Sequence, residues 1–153
     1  MRGAPACAWA GRYNRSANSL ELTVNLADLQ VGQTVARESM RIGRARALAY
    51  RTAVGDDNPL YDARAVTPAM AMAALAMGAA MRAVELPEGA VHLSQEASFL
   101  RAAPEEAPLD VRVAVGQNSV RRGVRFLTLE VAAESEGALV MRSSALISIK
   151  EQA

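Results

Sequence analysis

A short polar segment near the middle of the chain carries side chains that could take part in acid–base chemistry. Residues 55–63, with the sequence GDDNPLYDA, combine glycine, aspartate, asparagine and proline, which favour turns through backbone freedom and side-chain hydrogen bonds. The segment is therefore predicted to be a loop. It holds two carboxylates, Asp56 and Asp57, and a phenol, Tyr61. With an ordinary pKa near ~10, a tyrosine can donate a proton at neutral pH but does not readily take one from water.

Each residue of this loop also has an interpretation that requires no chemistry. The two aspartates beside Asn58 and Pro59 are explained by turn formation alone. Tyr61 is either a proton donor that contacts a ligand or an anchor whose ring packs at the end of the loop. On the residues alone, both interpretations stay open.

Two other groups of polar residues are candidates for a site. His92 is the single histidine and begins a predicted strand on its polar face, where contact with solvent explains it as well as catalysis does. With no paired histidine or cysteine near Ser94 and Glu96, the sequence predicts no metal ion and no cofactor. Three arginines lie near a predicted turn: Arg121, Arg122 and Arg125. They either contact a phosphate group or form a solvated surface.

The elements that position the loop belong to a chain of 153 residues, which is enough for one domain with its own core. We expect a flexible tail over residues 1–19 and a single domain over residues 20–153. A net charge of +1 predicts no binding to nucleic acid or to an anionic membrane surface. The single cysteine, Cys7, and the lack of an apolar signal segment are compatible with a cytoplasmic protein.

Two helices are predicted on either side of the loop. Residues 43–54 place small and apolar side chains on one face, with arginines opposite. The residues of that face are Ala45, Leu48, Ala49 and Thr52 or Ala53. The second helix begins with Thr67 as a cap and Pro68 in its first turn, and runs to about residue 84. Residues 68–81 have no polar face, so this helix must be surrounded on all sides.

After this helix the hydrophobic pattern changes to the alternation of strands. Segments 91–99, 109–115, 124–133 and 138–149 each place apolar residues on one face, with turns predicted at 103–108, 116–123 and 135–137. Earlier in the chain, residues 20–24 form a possible short strand, residues 27–33 a turn and residues 34–42 an extended segment. Strands with one buried face and tight connections are typical of an antiparallel sheet.

A curved antiparallel sheet wrapped around one buried helix satisfies both patterns, and this α+β architecture is the hot-dog fold. A single sheet cannot cover a helix on all sides. A partner chain is therefore expected to extend the sheet and cover the open flank, most simply as a homodimer.

The loop and its flanks resemble a known family. Tyr50 to Tyr61, with the sequence YRTAVGDDNPLY, is similar to the pattern YA..(S/T)GD.NP.H of MaoC-like enoyl-thioester hydratases. The likeness extends over residues 31–149 and includes LSQEASFLRAAP at residues 93–104, although its specific core is the GDxNP element. In such proteins the aspartate and the histidine of this loop activate water for addition across the double bond of an enoyl thioester, or run the reverse dehydration.

The resemblance implies roles for several residues and also identifies a departure. Asp56 matches the family aspartate, Asn58 matches the asparagine that shapes the loop, and Tyr61 stands in place of the histidine. The catalytic candidates are thus Asp56, Asn58 and Tyr61. The candidates for contact with substrate are Asp57, Pro59, Thr67 and Met70. A GDDNPLY loop and a proline at the helix start resemble the histidine-lacking half of two-domain dehydratases, or the non-catalytic subunit of heterodimeric ones.

Three functions follow from the resemblance. The first is a hydratase or dehydratase (a lyase) with a degenerate dyad, acting on acyl-CoA or acyl carrier protein thioesters in fatty acid or polyketide metabolism. The second is a non-catalytic acyl-binding subunit of a heteromeric dehydratase, paired with a second hot-dog chain. The third is a hot-dog thioesterase. The arginines near residues 121–125 would then meet a coenzyme A phosphate, and methionines of the buried helix would line an acyl tunnel or only fill the core.

Overall fold

The computed structural model describes residues 25–151 of the chain. The predicted tail at residues 1–19 and the possible strand at residues 20–24 lie outside the described residues. The described elements are a 3-10 turn at Leu26–Asp28 and β1 Thr34–Arg41, α1 Arg44–Val54, α2 Leu60–Arg64, α3 Ala69–Ala83, β2 Val91–Phe99, β3 Pro108–Arg121, β4 Val124–Ser135 and β5 Ala138–Lys150.

The five strands form one antiparallel sheet in the order β1-β3-β4-β5-β2. Alternate residues of the three central strands face α3, as the period of two requires. The most buried strand residues are Val113, Val115, Leu127, Leu129, Ala133, Met141, Ala145 and Ile147. The α+β prediction and the hot-dog arrangement, a sheet around a long central helix, are both confirmed.

The central helix α3 packs against this sheet through small residues. Its buried residues are Ala71, Met72, Ala73, Ala76, Ala79 and Ala80. The opposite side of the helix is not covered within the described chain, because Met70 and Ala74 are exposed and Met77 and Met81 are only half-buried. Within the described chain α3 is therefore not surrounded on all sides, which agrees with the expectation that a single sheet leaves one flank of the helix open. A periodic pattern shows that a face is apolar, but not whether the same chain covers it.

The buried face of α1 also differs from the prediction. Ala47 and Arg51 are its buried residues, whereas Leu48 is more than half exposed and Ala45 lies at the surface. The predicted apolar face is therefore on the wrong side of the helix. An arginine can face inward here because the following loop supplies hydrogen-bond acceptors for its guanidinium.

The loop after α1 is shorter than predicted. Residues 55–59 are irregular, but the helical turn α2 begins at Leu60 and includes Tyr61. At the start of α3, Pro68 is the N-cap and no side chain caps the helix, so the predicted cap at Thr67 is wrong. The Thr67 hydroxyl donates instead to the carbonyl of Pro104, at 3.4 Å.

Two features of the strands were not predicted. The turn expected over residues 116–123 shrinks to Arg122 and Gly123, whose φ angles of 51° and 75° are those of a two-residue hairpin. A register shift between Ala133 and Glu134 places Val140 as well as Met141 in the core, and Leu139, predicted to face inward, is half-buried. Strands β3 and β4 are therefore longer than the predicted segments 109–115 and 124–133, since register shifts interrupt the alternation of side chains in each strand.

Strand β2 lies at the edge of the sheet and is exposed along its whole length. It pairs with β5 on one side, with a register shift between His92 and Ser94. All nine of its residues are exposed, including the apolar Val91, Leu93 and Phe99. The predicted strand bounds are correct, but the predicted buried face is not formed within this chain.

Candidate functional site

The candidate site is built on the turn that ends α1. Gly55 caps the helix in the left-handed conformation, with φ of 69°, which a residue with a side chain adopts only with strain. Its N–H donates to the carbonyl of Thr52 at 3.3 Å, and the N–H of Asp56 donates to the carbonyl of Arg51 at 2.9 Å. The chain therefore leaves α1 in one defined direction, and Asp56 follows directly.

Two side chains of the loop hold its backbone in successive turns. The Asp56 carboxylate accepts a hydrogen bond from the N–H of Asn58 at 3.2 Å, and the Asn58 side-chain oxygen accepts one from the N–H of Leu60 at 3.0 Å. Both are short-range side-chain turns of the kind that Asp and Asn favour. Asp56 is half-buried, whereas Asp57 and Pro59 are exposed. Turn formation thus accounts for Asn58 and for one oxygen of Asp56.

The buried residue at the centre of the loop is Arg51, which sequence reasoning missed. Only 6% of its surface is exposed. Its Nε donates to the carbonyl of Asp56 at 3.2 Å and its Nη2 to the carbonyl of Asn58 at 3.1 Å. Its Nη1 forms an ion pair with Asp62 Oδ2 at 3.2 Å. The available signal was that Arg51 stands where the family pattern has alanine.

Tyr61 lies against this guanidinium. The central carbon of the Arg51 guanidinium is 5.0 Å from the centre of the Tyr61 ring, which is cation–π geometry. Burial raises the pKa of the phenol, and the Asp56 carboxylate raises it further through its charge and a hydrogen bond. The Arg51 charge opposes this shift of the pKa and Tyr50 adds slightly to it. Tyr61 therefore stays protonated at neutral pH and can donate a hydrogen bond.

An open hollow of about 380 Å³ adjoins the loop and is lined by Leu48, Arg51, Thr52, Gly55, Asp56 and Asp57. A larger hollow of about 470 Å³ lies on the outer face of the sheet, and its lining includes Arg112, Glu130 and Arg142. The larger one is lined by strand residues alone and contains no group of the loop. We therefore take the loop, and not the larger hollow, as the candidate site.

The remaining substrate-contact candidates lie at the start of α3. Thr67 is buried, its N–H donates to the carbonyl of Ala103 at 2.8 Å, and its hydroxyl contacts Pro104. Met70 is 58% exposed. Asp56, Asn58 and Tyr61 are thus joined by direct interactions, whereas Thr67 ties α3 to the segment before β3 and Met70 projects from the surface.

Comparison with known proteins identifies the fold. The chain matches an (R)-hydratase of A. caviae involved in PHA biosynthesis, with 25% identity, a TM-score of 0.65, and 82% and 98% of the two chains covered. It matches the HadBC 3R-hydroxyacyl-ACP dehydratase complex of Mycobacterium tuberculosis with 20% identity and a TM-score of 0.66, and the match covers 84% of this chain and 100% of that chain. It also matches a MaoC-like dehydratase of Rhodospirillum rubrum with 19% identity and a TM-score of 0.66, and the match covers 85% of this chain and 99% of that chain. The chain has the hot-dog fold of the MaoC-like family.

This assignment of the fold rests on structure, because no protein-family model and no curated protein matches the sequence. The segment with GDxNP, which carried the resemblance, is the turn between α1 and α2. Tyr61, at the position of the histidine in the family pattern, is in the first turn of α2.

The other polar residues that the sequence offers as candidates lie apart from the loop. Arg125 is buried, with its Nε 2.6 Å from Glu151 Oε1 and its Nη1 2.7 Å from Asn118 Oδ1, so it does not form a cluster with the exposed Arg121 and Arg122. His92 is exposed on the edge strand.

Within residues 25–151, no group of three His, Cys, Asp or Glu side chains is arranged to hold a metal ion. No helix in the same part of the chain is long and apolar enough to cross a membrane.

Proposed function

We propose that this chain binds acyl thioesters and belongs to the hydratase and dehydratase class of MaoC-like proteins, with Asp56 and Tyr61 as its polar pair. The observation that carries the proposal is the half-buried Asp56 carboxylate beside a phenol whose pKa is raised. The similarity in fold to an (R)-hydratase and a 3R-hydroxyacyl-ACP dehydratase supports it. The carrier, coenzyme A or a carrier protein, is left to experiment.

The chemistry assigns different roles to the two groups. Hydration of an enoyl thioester needs a base that takes a proton from water while the hydroxyl adds to C3, and an acid that protonates C2. Asp56 is the group that can accept the proton of water. Tyr61, whose raised pKa keeps the phenol protonated, is suited to donate to the substrate and unsuited to act as the base.

The first test is enoyl-thioester hydration by the purified chain and two variants. In Asp56→Asn the base is lost, and in Tyr61→Phe the donor is lost while the ring remains. We expect each change to lower the rate on the order of 10²-fold or more, because general acid–base groups contribute that much. Unchanged hydration in both variants would show that the site is assigned wrongly.

A second candidate is a non-catalytic subunit that binds the acyl chain beside a histidine-bearing partner. It is favoured by the edge strand β2, which exposes all nine of its residues, and by the uncovered side of α3. Under this proposal the partner is a second hot-dog chain, either another copy or a different chain with both Asp and His. Activity that arises only after co-purification with such a chain would support it, and robust hydration by the chain alone would exclude it.

The thioesterase alternative has its own readout. It would use a carboxylate as the general base that takes a proton from water while the water oxygen attacks the thioester carbonyl, and that proton would then pass to the thiolate that leaves. Asp56 is the carboxylate that would be used, since it lines the hollow beside the loop. Thiol release from acyl-CoA by the pure chain, lost in Asp56→Asn, would favour hydrolysis over hydration.

We also propose that residues 20–153 form a single domain and that the protein acts in the cytoplasm. Among the contact residues predicted from the sequence, Asp57, Pro59 and Met70 are exposed and can contact a substrate. Buried Thr67 is proposed to contribute only by holding the start of α3 against Ala103 and Pro104.

A further inference from the structure

We propose that Arg51 is the positioning residue of the candidate site, because one buried guanidinium holds the backbone of the Asp56 loop and the ring of Tyr61 in place together. The inference rests on the proposed function for what the loop acts upon. The positioning itself is argued from contacts and can be tested without a substrate.

Arg51 braces Asp56 from two directions. The carbonyl of Arg51 accepts the N–H of Asp56 at 2.9 Å, while Nε of Arg51 donates to the carbonyl of Asp56 at 3.2 Å. A third contact, from Nη2 to the carbonyl of Asn58 at 3.1 Å, fixes the peptide two residues later. Because the carbonyls of Asp56 and Asn58 both accept hydrogen bonds from the guanidinium, Arg51 fixes the conformation of the backbone around Asp56.

The same group holds Tyr61. The phenol ring lies 5.0 Å from the guanidinium carbon, and Asp62, next to Tyr61 on α2, accepts Nη1 at 3.2 Å. Arg51 thus links the last turn of α1, the loop and α2. Such a planar fork can serve several acceptors at once, which a lysine ammonium cannot do in the same geometry.

The burial of Arg51 argues against a role as an ordinary surface charge. An ionised side chain is costly to bury unless its donors are satisfied, and here each of the three guanidinium nitrogens has an acceptor. Its partner Asp62 is 57% exposed, so the ion pair by itself contributes little. Arg51 replaces the alanine of the family pattern, and Tyr61 replaces the histidine, so the two departures are in contact.

The test is a spectroscopic titration of the Tyr61 phenol in Arg51→Lys and Arg51→Met, each measured against the same variant with Tyr61→Phe to remove the signals of Tyr13 and Tyr50. If Arg51 positions Tyr61, both variants free the ring, and the raised pKa falls toward the ordinary value near ~10. If Arg51 acts only through its charge, Arg51→Met raises the pKa further and Arg51→Lys leaves it unchanged. That pattern would overturn the proposal.

Two control variants separate the loop contacts from the ion pair. Asp62→Asn removes the carboxylate partner but leaves both carbonyl contacts, and Arg44→Ala removes a second, exposed arginine 4.0 Å from Asp62. Both should keep the Tyr61 titration of the unsubstituted protein. A shift in Asp62→Asn as large as that in Arg51→Lys would assign the effect to the ion pair and contradict the proposal. Circular dichroism shows which variants are folded. If Arg51→Met is unfolded, the titration of Arg51→Lys alone decides whether Arg51 positions Tyr61.

Turnover of, or binding to, an enoyl thioester is the functional readout. A displacement of the loop by about 1 Å is expected to reduce turnover on the order of 10²-fold in Arg51→Lys. If the unsubstituted chain neither binds nor converts acyl thioesters, the proposed function fails, while the titration still decides whether Arg51 positions Tyr61. If the chain does act on thioesters and Arg51→Lys is fully active, the positioning role fails alone.

Discussion

Tyr61 has an environment that keeps its proton on the phenol. Burial and the Asp56 carboxylate raise its pKa, with the Arg51 charge as the opposing influence. A phenol in this state is a hydrogen-bond donor over the whole physiological range. Where the family pattern has a histidine, which can exchange protons near neutral pH, this chain has a phenol, which at that pH only donates.

The raised pKa of Tyr61 predicts a loss of stability at high pH. Because the pKa of Tyr61 is raised in the folded state, the folded state holds the phenol proton more tightly than the unfolded state does. The resulting contribution to the free energy of unfolding is fully present below the unfolded-state pKa near ~10, and it is lost as the pH rises through the folded-state pKa. We expect the free energy of unfolding to fall more steeply above about pH 10 in the unsubstituted protein than in Tyr61→Phe. Urea denaturation across this range measures the difference, and parallel curves would contradict it.

Restoration of the family histidine is the direct test of what Tyr61 changes. A histidine has an ordinary pKa near ~6.5, so in Tyr61→His the ring can exchange protons near neutral pH, which the phenol cannot do. We expect enoyl-thioester hydration to rise by a factor on the order of 10² to 10⁴. Tyr50→His, one residue before Arg51, is the control and should show no gain. An equal rate before and after Tyr61→His would contradict the assignment of Tyr61 as the residue that limits hydration.

At the scale of elements, α1 depends on a distant carboxylate. Glu106, in the segment before β3, accepts a hydrogen bond from the N–H of Arg44 in the first turn of α1 at 2.8 Å. Gly43 precedes the helix, and a Cβ added there would lie 2.8 Å from the Glu106 carboxylate. The helix that leads into the candidate loop is therefore capped from across the chain, by a group with favourable charge for a helix N-terminus.

Loss of this cap should destabilise the fold without changing the chemistry of the loop. We expect Glu106→Ala to lower the free energy of unfolding by about 0.5–2 kcal/mol, and Glu106→Gln to lower it by less, because an amide oxygen can still accept. Chemical denaturation at fixed protein concentration gives both values. Glu105→Ala is the matched control, since the backbone and not the carboxylate of Glu105 contacts Ala65. Equal stability of Glu106→Ala and the unsubstituted protein would contradict the capping role.

At the scale of the whole molecule, the described chain leaves apolar surface uncovered at one edge of the sheet. Val91 and Leu93 are each about half exposed, at 52% and 49%, on a strand that pairs with β5 alone in the described structure. Long exposed edge strands with apolar side chains are templates for pairing with another chain. The exposed edge of β2 therefore favours a hot-dog partner whether or not the chain is catalytic.

Charges on β2 should disrupt that association. We expect the double variant Val91→Lys with Leu93→Lys to shift the protein to a monomer, as measured by sedimentation or light scattering. Lysine side chains on an edge strand disfavour pairing and keep the strand solvated. Val120→Lys, at an equally exposed position near the β3 to β4 hairpin, is the control and should leave the oligomeric state unchanged. A monomeric unsubstituted protein would contradict the prediction.

Much of the fold was predictable because strand alternation and an all-apolar helix are local patterns. The α3 helix, the bounds of β2 and the inward residues of β3 and β4 follow from the period of the side chains. The GDxNP turn was predictable from its residue types. The buried side of α1 was not, since a period shows which residues share a face and not what lies opposite them.

The sequence by itself determined the hot-dog architecture and the position of the loop with Asp56, Asn58 and Tyr61. Only the tertiary structure decided that Arg51 is buried beneath that loop, that the pKa of Tyr61 is raised and that β2 stays exposed. The physical reason is that hydrogen-bond acceptors for a buried guanidinium come from a backbone whose course is set by the fold. Burial and charge then act on Tyr61 through neighbours in space, which no spacing along the chain specifies.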